Sequence, residues 1–197
     1  MSLYAEDANE EWAAARRHHL YNLVRKQRPQ RLTAKGELHD DVADWVGRLL
    51  EWNDPTSPDA PLPGNLLLGG PIGCGKTWTA WEVIEKGALA GFDGSWLFAT
   101  SADWQDTVAP PVDRERLRKM RSVDLLILDD FGSGRINEWQ RECLLGVVDE
   151  RWANARPIIV TFNAESLRDM VGERIASRLA HGVTTVAFEG DDRRRNS

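Results

Sequence analysis

Leu66-Leu67-Leu68-Gly69-Gly70-Pro71-Ile72-Gly73-Cys74-Gly75-Lys76-Thr77 is the stretch that decides the fold of this chain. Three consecutive leucines suit a short strand buried on both faces. The eight residues from Gly70 to Thr77 then fit G-x-x-x-x-G-K-[ST], and residues 76–90 read as a helix. Strand, glycine loop and helix in that order are the context the motif requires. The glycines let backbone N–H groups turn inward around an anion, and the helix N-terminus adds unpaired donors and the positive end of its dipole. The pattern predicts a nucleotide-phosphate cradle made by Gly70, Pro71, Ile72, Gly73, Cys74, Gly75, Lys76 and Thr77. Lys76 is expected to reach the β- and γ-phosphates of ATP, and the Thr77 hydroxyl to ligate Mg²⁺. Cys74 occupies a variable position of the motif and is read as packing.

Outward from that loop, further apolar runs alternate with helical stretches. Ser95–Ala99, Leu125–Leu128, Pro157–Thr161 and Val183–Phe188 read as strands. Residues 101–121 are helical in character with a break at Pro110-Pro111, and helices are expected over 137–153, 164–170 and 172–180. Along 137–153, Trp139, Leu144, Val147, Val148 and Trp152 are spaced for a core face. Five short strands alternating with helices predict an α/β, three-layer P-loop NTPase sandwich around a five-stranded parallel sheet. Before it, residues 5–28 and 38–52 read as helices, the first with a partial stripe of Trp12, Leu20, Leu23 and Val24. Residues 53–64 hold four prolines and read as a linker. The expected division is a helical arm with linker over 1–60 and an ATPase core over 61–197.

Leu125-Leu126-Ile127-Leu128-Asp129-Asp130 supplies the acid chemistry. Two carboxylates at the end of a buried apolar strand are unfavourable unless a cation sits there. Asp129 is expected to hold the metal, directly or through water, and Asp130 to polarise the attacking water. The plain alternative is an Asp-rich turn before Gly132. Thr161-Phe162-Asn163 closes the next apolar strand, and Asn163 is placed to orient water against the γ-phosphate or simply to end the strand.

Bulk composition narrows the field. The chain has 197 residues, a net charge of −6 and 42% hydrophobic residues, enough for one sizeable core. A nucleic-acid surface on such an acidic chain has to be a local patch. Two cysteines are too few for a disulfide framework or a cysteine-based metal site. The N-terminal MSLYAEDANEEW carries charge where a leader would be apolar, and no run approaches the length of a membrane span. The expected location is cytoplasmic, with no membrane partner. Most of the nine tryptophans are read as packing.

Gly70–Thr77, Asp129-Asp130-Phe131-Gly132, Thr161-Phe162-Asn163 and Gly172-Glu173-Arg174-Ile175-Ala176-Ser177-Arg178-Leu179 together resemble the AAA+ ATPases of the DnaC-like helicase-loader type and the related IstB-like transposition helpers. The resemblance covers about residues 64–194. It implies that Asn163 is a sensor of the γ-phosphate and that Arg174 reaches into a neighbouring subunit's ATP. Arg178 is implied as the second arginine of that segment. The two lie at i and i+4, on one face of a helix; the plain alternative is a pair of solvated arginines. Arg194 in the closing segment is a candidate second sensor, or part of a basic tail. The short stretch after Leu179 leaves no room for the C-terminal helical lid domain of many AAA+ proteins, as in the loader clade.

Residues 114–121 bring Arg114, Arg116, Arg118, Lys119 and Arg121 together with one glutamate. The resemblance implies that this insertion touches single-stranded DNA, through salt-dependent phosphate contacts; a solvated helix face is the alternative. The expected cofactors are ATP and Mg²⁺. The expected partners are a replicative DNA helicase, single-stranded DNA and further copies of the chain in an ATP-dependent oligomer. An IstB-like transposition helper and a nucleotide-switched adaptor with little turnover are the alternatives. A small-molecule P-loop kinase is the contrasting class, disfavoured by the paired acids and paired arginines.

Overall fold

Apolar strand residues that alternate between two faces need a helical layer on each side. The computed structural model shows that arrangement, and describes residues 3–131, 136–163 and 167–189, with backbone alone for 3–11 and 13. Five strands form one sheet: β1 (Leu66–Gly69), β2 (Trp96–Thr100), β3 (Leu125–Asp129), β4 (Ile158–Phe162) and β5 (Thr184–Ala187). Their spatial order is β2-β3-β4-β1-β5, and every pairing is parallel. The central pair β1–β4 aligns Leu68 with Thr161 and Gly69 with Phe162. That register brings the start of the phosphate loop beside the end of β4.

One face of the sheet presents Leu66, Leu68, Leu125, Ile127, Ile159 and Val186. It is covered by α1 (Leu3–Gln27), α2 (Asp40–Asn53) and α3 (Lys76–Ala90), through residues such as Val24, Trp45, Leu49, Ala80 and Ile84. The other face presents Leu67, Leu126, Leu128, Ile158, Val160 and Phe162. It is covered by α4 (Ser101–Val108), α5 (Arg114–Ser122), α6 (Glu138–Ala153), α7 (Leu167–Val171) and α8 (Glu173–Leu179). The three-layer α/β sandwich expected from the sequence is therefore present.

Residues before the linker are built into this core. Val24, Val42, Trp45, Val46 and Leu49 lie in the same apolar cluster as β1 and β3. Arg28 is buried and pairs with both Glu82 (2.8 Å) and Glu85 of α3, while its Nε donates to Leu32 O. Trp78 Nε1 donates to Ala34 O at 2.8 Å. The turn Gln30–Leu32, absent from the sequence reading, lets the chain pass from α1 across the head of α3.

The core face of α6 differs from expectation. Leu144, Val147 and Val148 are buried, but Trp139 and Trp152 are 54% and 47% exposed, and Arg151 is fully buried. Arg151 Nη1 donates to Met120 O (3.0 Å) and Val123 O (2.7 Å); Nη2 donates to Asp124 O (3.1 Å) and Pro157 O (2.7 Å). These carbonyls belong to the end of α5 and to the approaches of β3 and β4, where helix and strand ends leave backbone oxygens short of donors; Pro157 O also accepts from Leu126 N at 3.4 Å. A guanidinium carries enough donors in a fixed fork to serve several of them at once. Of the tryptophans, Trp45, Trp81 and Trp104 are buried, and Trp81 stacks on Phe98 at 4.3 Å between centroids.

Candidate functional site

The phosphate loop turns sharply off β1 because its glycines take backbone angles closed to other residues. Gly70 has φ 147°, and a Cβ there would lie 2.4 Å from Phe188 O, so no side chain fits. Gly75 has φ 108° and caps α3, whose first residue is Lys76. Lys76 is buried, and its Nζ donates to Gly70 O (2.8 Å) and Pro71 O (2.6 Å). Its charge is thus centred on the loop, at a helix N-terminus suited to an anion. Cys74 is buried, with Sγ 3.7 Å from Lys76 Nζ, whereas Pro71 and Ile72 are exposed on the outer side of the loop.

Beside the loop the ends of β3 and β4 bring together the acids read from the sequence. Thr77 Oγ1 donates to Asp129 Oδ2 at 3.2 Å. Thr161 Oγ1 donates to Asp129 Oδ1 at 2.7 Å. Asp130 N donates to Thr161 Oγ1 at 2.8 Å, and Asn163 Nδ2 donates to Asp130 Oδ1 at 2.8 Å. Asp130 has φ 54°, a left-handed conformation that few non-glycine residues adopt. The Thr161 hydroxyl was not singled out from the sequence. The signal available was a polar residue inside an otherwise apolar strand, which has to find partners if buried.

These residues fit ATP with Mg²⁺. Burial holds the Asp129 carboxyl above the ordinary carboxylate range; hydrogen bonds from Thr161 and Thr77 oppose that, and the neighbouring Asp130 charge adds to it. A buried carboxylate held by neutral donors, the Thr77 and Thr161 hydroxyls and the Asp130 backbone, is a site that a cation stabilises. No cluster of three His, Cys, Asp or Glu side chains capable of holding a metal occurs among the described residues. Mg²⁺ here would take Thr77 and Asp129 from the chain and its remaining oxygens from phosphate and water, the ordinary habit of that ion.

The raised pKa carries a stability prediction. Between the ordinary carboxyl pKa and its raised folded value, the folded state holds a proton that the unfolded state has lost. Stability without metal or nucleotide therefore falls as pH rises through that window. At neutral pH Asp129→Asn removes the buried charge while keeping an acceptor for Thr161. Its metal-free thermal midpoint is expected above that of the wild type, and any ATP turnover is expected to fall at least ~100-fold. A midpoint equal to or below the wild type at pH 7 contradicts the account of the buried charge.

The arginines stand apart from the chain's own phosphate loop. Arg174 Nη2 lies 3.3 Å from Asp149 Oδ2, and Arg178 Nε lies 2.9 Å from Asp149 Oδ1. Arg178 also lies over the Trp152 ring at 4.7 Å. Asn65, just before β1, donates to Leu179 O at 3.0 Å, so the end of α8 packs at the start of β1 while the loop follows its end. In the basic segment, Arg116 pairs with Asp103 (2.7 Å), Lys119 with Glu115 (3.1 Å) and Arg121 with Glu150 (3.7 Å). Arg114 and Arg118 are exposed on consecutive turns of α5. Gly132 and Arg194 lie outside the described residues. No helix among the described residues is long and apolar enough to cross a membrane.

Comparison with known proteins adds a family. The model of the IstB-like ATP binding protein family matches residues 62–197. An insertion-sequence ATP-binding protein of Pseudomonas fluorescens is 34% identical over 110 residues, 55% of this chain and 47% of that protein. The replicative helicase loader DnaC of Escherichia coli is 27% identical over 139 residues, 66% of this chain and 56% of that protein. The chain spans about half the length of the curated relatives it matches. Among solved structures, DnaI superposes with a TM-score of 0.66 at 19% identity, over 85% of this chain and 94% of that one. DnaA bound to AMPPCP and single-stranded DNA superposes with a TM-score of 0.62 at 21% identity, over 80% of this chain and 48% of that one. These neighbours share the P-loop AAA+ fold. With its phosphate loop, its acids and this match, the chain belongs to the IstB-like ATP-binding protein family, AAA+ proteins related to DnaC.

Proposed function

We propose that this chain hydrolyses ATP, and that it does so as a helper that assembles on DNA in head-to-tail copies and delivers a larger partner, a replicative DNA helicase in the manner of a loader. The observation that carries hydrolysis is the 2.8 Å bond from Asn163 to Asp130, placed beside the Thr77–Asp129 pair. Bound ATP supplies a γ-phosphoryl group, with Mg²⁺ neutralising its oxygens. Lys76 holds the phosphates at the head of α3. Asn163 fixes one oxygen of Asp130, leaving the other to accept a hydrogen bond from water and later its proton. Arg174 and Arg178 lie at the far end of β1 from the loop, so within one chain they do not complete this site. A neighbouring copy supplies such a charge in a head-to-tail assembly, a geometry that generates rings or open spirals.

A second reading, the transposition helper, is favoured by the matching family model and by the insertion-sequence relative at 34% identity. Two measurements separate the possibilities. Steady-state turnover is followed with no DNA, single-stranded DNA or duplex DNA, and capture is tested with a replicative helicase and with a transposase. Stimulation by single strands with helicase capture supports the loader; stimulation by duplex with transposase capture supports the transposition helper. No turnover under any condition leaves a nucleotide-switched adaptor and sinks the hydrolysis reading. Lys76→Ala is expected to weaken ATP binding at least ~10-fold, read by titration with a fluorescent ATP analogue. Wild-type affinity in that variant refutes the site.

A further inference from the structure

We infer that Thr161 is a positioning residue for hydrolysis, one hydroxyl that sets the metal-side acid and the water-side acid relative to each other. This rests on the ATPase reading above. Thr161 is fully buried, in a strand whose other residues Ile158, Ile159, Val160 and Phe162 are all apolar. A hydroxyl in that setting needs partners, and both of its partners belong to the site. As donor it holds Asp129 Oδ1 at 2.7 Å; as acceptor it receives Asp130 N at 2.8 Å. A hydroxyl has one hydrogen to give, and it is committed to Asp129, so the rotor has one orientation.

Two consequences follow from the geometry. Asp129 is gripped on both carboxylate oxygens, by Thr161 from β4 and by Thr77 from α3, so the carboxylate plane cannot swing. Asp130 is held at φ 54° by its N–H bond to the same hydroxyl, and the adjacent Phe131 N–H donates to Thr161 O at 2.8 Å. Thr161 thus anchors the turn from both its side chain and its backbone. The left-handed step at Asp130 lets its Oδ1 meet Asn163 Nδ2 while Asp129 faces Thr77. Without the hydroxyl the backbone bond from Phe131 remains, but the relative setting of the two acids is no longer fixed. Misplacement of a reacting group by about 1 Å lowers rate by about 10²-fold.

The test compares Thr161→Val, which keeps the shape and removes the hydroxyl, with Thr161→Ser, which restores it. Thermal midpoint and binding of a fluorescent ATP analogue establish folding. Valine is expected to lower kcat about 10²-fold with less than about a threefold change in KM for ATP, and to need more Mg²⁺ for half-maximal rate. Serine is expected to recover kcat to within about threefold of the wild type. A valine variant with wild-type kcat, a serine variant as slow as valine, or a rise in KM without loss of kcat overturns the inference. Should valine fail to fold, Thr161→Cys replaces it, retaining volume and a weak polar atom; a kcat equal to the wild type again overturns it. An inactive wild type sinks the ATPase reading instead. In that case the Mg²⁺ concentration needed for ATP-analogue binding is read, and a requirement unchanged in the valine variant overturns the positioning role.

Discussion

Arg174→Ala is expected to lower turnover of the assembled protein about 10³-fold, the scale at which a guanidinium on the transferring phosphoryl group acts, while leaving ATP affinity of the isolated chain unchanged. The expectation follows from position and exposure. The Arg174 side chain is 67% exposed and its partner is Asp149, at 3.3 Å. Its helix ends beside the start of β1, one strand length from the chain's own loop. An arginine so placed leaves turnover untouched unless another copy presents it. Mixing separates the cases. On the proposed roles, Arg174→Ala keeps the nucleotide site but loses the finger, and Asp130→Asn keeps the finger but loses the water-orienting acid. If the arginine acts between copies, the two inactive variants recover turnover when combined. Mixtures that stay inactive, or an Arg174→Ala protein with wild-type turnover, remove the arginine from the reaction. Asp149 engages both arginines, so on the trans reading Asp149→Ala is expected to alter turnover of the assembly as well.

Arg151→Met is expected to destabilise the fold by roughly 3 kcal/mol or more, measured from the midpoint and slope of urea unfolding. Burial pushes the Arg151 guanidinium down to about 9, so at neutral pH it still carries its full set of donors. Methionine matches much of the volume but leaves four carbonyls, at Met120, Val123, Asp124 and Pro157, without that donor. The Met120 and Pro157 groups are buried and the other two partly so, and an unsatisfied buried carbonyl costs about 1–3 kcal/mol. Lysine keeps the charge but cannot span two pairs of carbonyls with one ammonium, so Arg151→Lys is also expected to be destabilised. A loss below about 1 kcal/mol in both variants would show that water or backbone shifts replace the guanidinium.

The phosphate loop was legible because its requirements are local. Glycines at 70, 73 and 75 permit positive φ, and lysine and threonine open a helix directly behind a strand. The parallel sheet was legible for a similar reason: uninterrupted apolar runs have nowhere to go but a doubly covered layer. Period alone misled along α6. Trp139 and Trp152 fit the apolar spacing, yet their bulk stays at the surface, where Trp139 Nε1 donates to Val108 O (3.0 Å) and Trp152 packs on Arg178. Arg151 carries a charge, so hydropathy reads it as surface, although carbonyls of Met120, Val123 and Asp124, some thirty positions earlier, and of nearby Pro157 make its burial favourable. The first sixty residues were read as an arm, since nothing local reveals that Arg28 pairs with α3 or that the surface covering Trp45 is the sheet.

By itself, then, the sequence determined which groups are present for the chemistry: Lys76 and Thr77 at a helix start, Asp129 and Asp130 at one strand end, Asn163 at another. Each rests on a short-range rule of spacing or of strand ending. Only the tertiary structure decided how they meet. Strand order places β1 beside β4 and β4 beside β3, so residues more than thirty positions apart, such as Thr161 and Asp129, come within a hydrogen bond. Strand pairing in a parallel sheet joins segments across long crossovers, and no local pattern encodes which strand becomes the neighbour of which. That is why Thr161 reads as one more strand residue until β3 and β4 are seen side by side.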